Sequence, residues 1–217
     1  MTLSLALMGC ATRPPPEPLP GPPAGPPGRP ADPVAEPLVG GCGPAPISLE
    51  PKYTLPYAVG DAYPLSQGNC GSPSHSGRFS HAFDFRMPMR TPVVAARDGV
   101  VDLVRSVRPD GTGLAGDENL VILDHGDGEF SRYVHLTTDG VLVREGDRVT
   151  RGDTIGLSGN SGPSRFPHLH FDVVDRCGRE GCRTIPSAFL NARPPIPGAR
   201  TPVLALPYPS DGSGGPR

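Results

Sequence analysis

The chain has 217 residues and a formal net charge of −2, room for one domain of ordinary size plus tails and no long-range positive field to attract nucleic acid. There is no polybasic run to hold it on an anionic membrane surface, and Lys52 is the only lysine, so chemistry that needs a lysine has a single candidate. Glycine and proline, at 29 and 31 residues, would suggest a low-complexity polymer if they were evenly spread. They are not: fourteen prolines fall between Pro14 and Pro46 and seven between Pro194 and Pro216, so the stretch between them is the part able to bury a core.

In chain order, residues 1–10 are apolar but far too short to span a bilayer at the roughly 20 residues required. Leu7-Met8-Gly9-Cys10 resembles the lipobox that ends a bacterial lipoprotein signal peptide, which makes Cys10 the expected lipid-attachment site and places the protein in the cell envelope, on a membrane only through that anchor. Residues 11–46 read as a polyproline spacer, extended and semi-rigid, with no prospect of helix or sheet. From 47 to 192 the pattern is almost entirely strand. Short alternating or β-branched runs are expected at Pro92–Ala96, Gly99–Val107, Asn119–Asp124, Phe130–Leu136, Val141–Val143, Asp153–Ser158 and His168–Val174. Asp98-Gly99, Asp110-Gly111, Asp127-Gly128 and Asp139-Gly140 supply the turn signals between them. A helix is expected only at Pro186–Asn191, and residues 193–217 read as a disordered tail. The sum is an all-β domain of compact antiparallel, hairpin-connected type.

Apart from Cys10, four cysteines remain, an even count that reads as two disulfides in an oxidising compartment. Cys177 and Cys182 bracket a Gly-Arg-Glu-Gly turn, and Cys42 with Cys70 would then pin the start of the domain. No Cys-x-x-Cys pair is present to suggest a cysteine metal site.

All six histidines lie between His75 and His170. In His168-Leu169-His170, a strand would put both imidazoles on one face, about 7 Å apart, with Leu169 and Phe171 turned to the core and Asp172 one step further along the histidine face. Tyr133-Val134-His135-Leu136 repeats the arrangement, Tyr133 and His135 sharing a face and Val134 and Leu136 forming the buried one. Asp84 lies between Phe83 and Phe85, where an unpaired buried carboxylate is costly unless it is exposed or ligates something. Neutral imidazoles plus a carboxylate suit zinc and leave a coordination position for water, whose pKa would fall toward about 7. His125, just before the Gly126-Asp127-Gly128 turn, reads as a turn-stabilising hydrogen-bond partner.

Taken together, His75 through Asp84, Thr91-Pro92-Val93-Val94-Ala95-Ala96-Arg97-Asp98-Gly99-Val100-Val101, the Tyr133/His135 strand, Gly152-Asp153-Thr154-Ile155-Gly156 and His168-Leu169-His170-Phe171 resemble, in this order, the LytM/lysostaphin-type zinc peptidases. The resemblance spans roughly Leu65 to Val174. It implies a small β-sandwich-like fold of the duplicated hybrid motif type, an open groove, one zinc ion, and the stem or cross-bridge peptides of peptidoglycan as substrate. Carried over by motif, Asp84 and His170 match zinc ligands, and His168 and His135 match the pair flanking the metal-bound water and the developing oxyanion. For the first ligand many relatives have His-x-x-x-Asp, but Ser80 stands where that histidine would be. His75 is taken as the ligand from a preceding loop, with His81 as the alternative. Arg90 also departs from the family pattern, which has glycine before Thr-Pro-Val.

The activity implied is zinc-dependent endopeptidase cleavage of peptidoglycan cross-links, His168 taking the water proton and His135 helping to hold the oxyanion. The alternative is a non-catalytic LytM-like module that activates a cell-wall amidase. A lipoyl-type carrier would need a lysine on a hairpin tip, and Lys52 precedes the hairpins. A serine hydrolase at Ser158 lacks the last glycine of the nucleophile elbow.

Overall fold

The computed structural model describes residues 50–71, 73–175, 183–193 and 202–207. The expected attachment site Cys10, the spacer at 11–46, and Cys42, Cys177 and Cys182 lie outside them. Cys70 is disulfide-bonded.

Among the described residues eleven strands form one antiparallel sheet: β1 (Ala62–Gln67), β2 (Phe83–Phe85), β3 (Pro92–Val94), β4 (Gly99–Arg105), β5 (Asn119–Asp124), β6 (Glu129–Val141), β7 (Arg148–Val149), β8 (Thr154–Ser158), β9 (Leu169–Asp175), β10 (Ala192–Arg193) and β11 (Pro202–Ala205). The main path runs β10-β11-β1-β2-β9-β6-β5-β4-β7, and β8 pairs with both β3 and the end of β6. The only helical turn among the described residues is a short 3-10 segment at Gly77–Phe79.

Period-two alternation explains the core. In β5, Asn119, Val121 and Leu123 turn inward, while Leu120 and Ile122 remain half-buried on the other face. In β9, Leu169, Phe171 and Val173 do the same, and they join Phe83 and Phe85 of β2, Tyr133 of β6 and Ile155 of β8 in one hydrophobic cluster. Each such side chain stabilises the fold by roughly 1.5–3 kcal/mol through area removed from water. Phe171 packs edge-on to Tyr133 at 5.3 Å, and Phe189 closes on Phe83 at 4.9 Å.

Three sequence expectations change. The run Phe130–Leu136 continues through to Val141, the first residue of the second run, in one strand, β6, and the Asp139-Gly140 turn signal falls inside it. Asp139 has φ 53° there, a conformation its short polar side chain tolerates, and the register against β8 shifts between Leu136 and Val141. The strand bends rather than ends. The expected helix at Pro186–Asn191 does not form: Phe189 bridges Tyr53, Leu190 N–H donates to Tyr53 O at 2.7 Å, and Asn191 Oδ1 accepts from Leu55 N–H at 2.8 Å. Finally, the tail expected to be disordered from 193 contains β11, which pairs with β1 and β10. Val203 and Ala205 bury in the core, and Tyr57 Oη donates to Val203 O at 2.6 Å. The folded unit therefore runs beyond residue 192, because apolar alternation in a short proline-flanked run sufficed to complete a sheet edge.

Candidate metal centre

Strand β2 places Asp84. Its flanking phenylalanines are fully buried in the core, so the carboxylate must face the other way, and the register sets Asp84 directly opposite His170 of β9. His170 Nδ1 lies 2.9 Å from Asp84 Oδ1. His75 enters from the loop between β1 and β2, its Nε2 3.2 Å from the same oxygen. His75 Nε2, an Asp84 carboxylate oxygen and a His170 ring nitrogen thus form a group whose ligand atoms all lie within 4.8 Å of one another. His81 is not in that group; its backbone N–H donates to Thr184 Oγ1 at 2.9 Å, and burial lowers its pKa.

The two remaining histidines stand beside the group. His168, just before β9, has Nε2 at 3.6 Å from Asp84 Oδ1, while its Nδ1 donates to Phe166 O at 2.9 Å. His135 Nδ1 donates to Ser161 O at 2.7 Å, and its ring centre is 4.6 Å from that of His168. Backbone carbonyls therefore commit the Nδ1 proton of both rings and leave each Nε2 as a lone pair. Burial pushes both pKa values down, His135 to about 3, with the neighbouring histidines adding to the effect there and Asp84 partly opposing it at His168. A neutral His135 so oriented is an acceptor, and can donate to an oxyanion only after taking a proton.

One face assignment is corrected. Tyr133 does not share a face with His135: its ring is in the core and its Oη accepts from Ala96 N–H at 2.8 Å, whereas Val134 opens onto the groove. The cause is His135 itself, at φ 65°, beside a register shift between Asn119 and Leu120. A left-handed residue breaks the alternation, so Val134 and His135 both face the groove and Leu136 returns to the core.

Does this donor set fit a metal? His75 Nδ1 donates to Gly68 O at 2.8 Å, which leaves Nε2 as a lone pair; that atom is buried, lacks a hydrogen-bond partner, and faces a carboxylate oxygen. Two electron-pair donors held so close repel unless positive charge lies between them. Burial would raise the Asp84 pKa, but the imidazoles of His170, His75 and His168 gathered around it hold it well below the usual carboxylate range. Burial would lower His170, but carboxylates on both of its nitrogens, Asp172 and Asp84, lift it to about 9. The pocket draws positive charge to itself, and two imidazoles with one carboxylate are a donor set that suits zinc.

The group lies in a groove of about 510 Å³. Leu120, Ile122 and Val134 supply apolar lining, and Phe79 and Phe166 stand among the other lining residues.

Residues 78–180 match peptidase family M23. Just under half of the chain thus matches the M23 peptidase family. The match begins three residues after His75, whose place in the centre comes from the geometry above. The chain is 44% identical over 93 residues to the peptidoglycan DD-endopeptidase ShyA of Vibrio cholerae, covering 43% of this chain and 20% of that protein. It is 32% identical over 138 residues to the lipoprotein NlpD/LppB homolog of Pseudomonas aeruginosa, covering 64% of this chain and 42% of that one. The chain thus spans less than half the length of either relative. The catalytic domain of the M23 protein EnpA of Enterococcus faecalis superposes with a TM-score of 0.46 at 25% identity, over 61% of this chain and 93% of that one.

The sequence did not single out Arg132, which binds Asp172 through both oxygens, at 2.7 and 2.6 Å. The carbonyls of Gly68, Ser161 and Phe166, which orient three of the histidines, have no side-chain signature to find.

Proposed function

We propose that the M23 domain is a zinc-dependent endopeptidase that hydrolyses peptide cross-links of bacterial peptidoglycan. The observation that carries this is the convergence of His75 Nε2, Asp84 Oδ1 and His170 Nδ1 without a hydrogen-bond donor to separate His75 from Asp84, next to two further imidazoles whose Nε2 lone pairs are free. The likeness to a relative named as a peptidoglycan DD-endopeptidase supports the substrate class. A module that only activates an amidase has no need of such a donor set.

His75, Asp84 and His170 would hold the zinc. Bound there, it supplies Lewis acidity to a scissile carbonyl and acidifies a water. His168 is the better base of the pair: the nearby Asp84 carboxylate favours its imidazolium, and it can return the proton to the leaving amine. His135, neutral and tethered to Ser161, accepts a hydrogen bond from the attacking water and orients it, and becomes an oxyanion donor only if it takes that proton. The apolar lining of the groove excludes bulk water around these groups. Lipid attachment at Cys10, disulfide pairing of Cys42 with Cys70 and of Cys177 with Cys182, and residence in the cell envelope are part of the same proposal. They rest on the sequence pattern, to which the structure adds that Cys70 is disulfide-bonded.

Incubating the full chain with purified peptidoglycan tests the activity. Cross-linked muropeptides should be converted to uncross-linked ones with new amino termini; a chelator should stop the conversion and added zinc restore it. No change in cross-linking at any zinc concentration would refute it.

A further inference from the structure

We propose that Asp172, clamped by Arg132, is a positioning residue that fixes which nitrogen of His170 faces the centre and so sets its affinity for a divalent cation. This rests on reading His75, Asp84 and His170 as the metal ligands, and goes beyond it by assigning work to two residues that touch no ligand position.

The geometry follows from strand register. Asp172 lies two residues after His170 on β9, on the same face. Arg132 of β6 is its cross-strand partner, one alternation away from the Val134–His170 pair. Asp172 is fully buried, and both oxygens are engaged: Oδ1 accepts from Arg132 Nε at 2.7 Å, and Oδ2 from Arg132 Nη2 at 2.6 Å and from His170 Nε2 at 3.0 Å. A carboxylate so placed can only accept, so when a cation takes the Nδ1 electron pair the one proton left on His170 is held at Nε2 by Asp172. The guanidinium fork fixes the plane of the carboxylate, which a lysine ammonium would not do. An outer carboxylate that holds a ligating histidine in one tautomer typically changes metal affinity by roughly 10- to 100-fold when it is lost.

The substitution Asp172→Asn separates this role from a merely structural ion pair. Arg132 is an obligate donor and would claim the single amide oxygen. The amide N–H would then face His170 Nε2, favouring the Nδ1–H tautomer that cannot ligate. Removing the arginine as well, in Asp172→Asn/Arg132→Met, frees the amide oxygen to accept from His170 again.

The experiment is a competition titration of the metal-free full chain with zinc against a chromophoric chelator, with circular dichroism to establish folding and nitrogen-15 shifts to read the His170 tautomer. Asp172→Asn should bind zinc about 10- to 100-fold more weakly, with the tautomer reversed, and the double variant should recover part of the loss. A folded Asp172→Asn with parental affinity would overturn the inference. Should that variant fail to fold, Arg132→Lys decides: a several-fold loss of affinity supports the clamp, and parental affinity overturns it. If the parent itself binds no zinc, or Asp84→Ala binds it as well as the parent does, the reading of the metal centre fails instead.

Discussion

Arg90 has φ 64°, in the left-handed region that favours glycine, and its N–H donates to Ser158 O at 2.7 Å. The turn before β3 therefore keeps the backbone that a glycine would adopt, and the arginine bears the strain, which is of order 1 kcal/mol for an L-residue. Arg90→Gly should raise the melting temperature by about 2–4 °C; a lower Tm in thermal unfolding would contradict this. His125 makes a second residue-scale prediction. It is buried, its Nδ1 donates to Asp98 O at 2.7 Å, and Ser131 Oγ lies 2.9 Å from its Nε2, so it ties two turns together as the sequence suggested. Burial lowers its pKa below the ordinary 6.5. Above pH 6.5 the ring is neutral whether the chain is folded or not, and the fold keeps its full contribution. As pH falls below 6.5 the unfolded chain takes the proton first, so stability is lost down to the depressed folded value. His125→Gln should thus lose less Tm than the parent between pH 7.5 and 5.5. An equal or larger loss would count against that account.

At the scale of elements, the approach of the Gly159–Gly162 loop to β6 decides whether the histidines are held. A Cβ on Gly159 would lie 2.2 Å from Thr137 N and 2.6 Å from Leu136 C, both backbone atoms that cannot yield. The same loop carries Ser161, whose carbonyl orients His135, and Gly159 bridges to His168. Gly159→Ala should push the loop off the strand, lowering peptidoglycan cleavage at least tenfold while leaving a folded β spectrum; parental cleavage rates would show the approach to be dispensable. Much of this architecture was legible. The limits of β5 and the core of β9 follow from alternation alone, and Asp84 between two phenylalanines announced its own face. What stayed hidden depends on alternation breaking or on contacts distant in the chain. The positive φ at His135 moves Val134 to the groove and Tyr133 to the core, the strand continues through the bend at Asp139, and β11 is held between β10 and β1, the latter far away in sequence. The Arg132–Asp172 pair exists only once β6 and β9 are in register.

For the molecule as a whole, the fold brings residues from a loop, β2, β6 and β9 to one groove wall, although they are spread from position 75 to 170. Asp84, His135, His168 and His170 lie within the span that matches the M23 family, and His75 precedes it. The choice between His75 and His81, left to motif spacing in the sequence, becomes a question of which ring reaches Asp84. Metal analysis of the purified full chain after exhaustive dialysis tests this central claim most directly. The account predicts about one zinc per chain in the parent and in His81→Ala, and almost none in His75→Ala or Asp84→Ala. Zinc retained in full by Asp84→Ala, or lost from His81→Ala while His75→Ala keeps it, would contradict it.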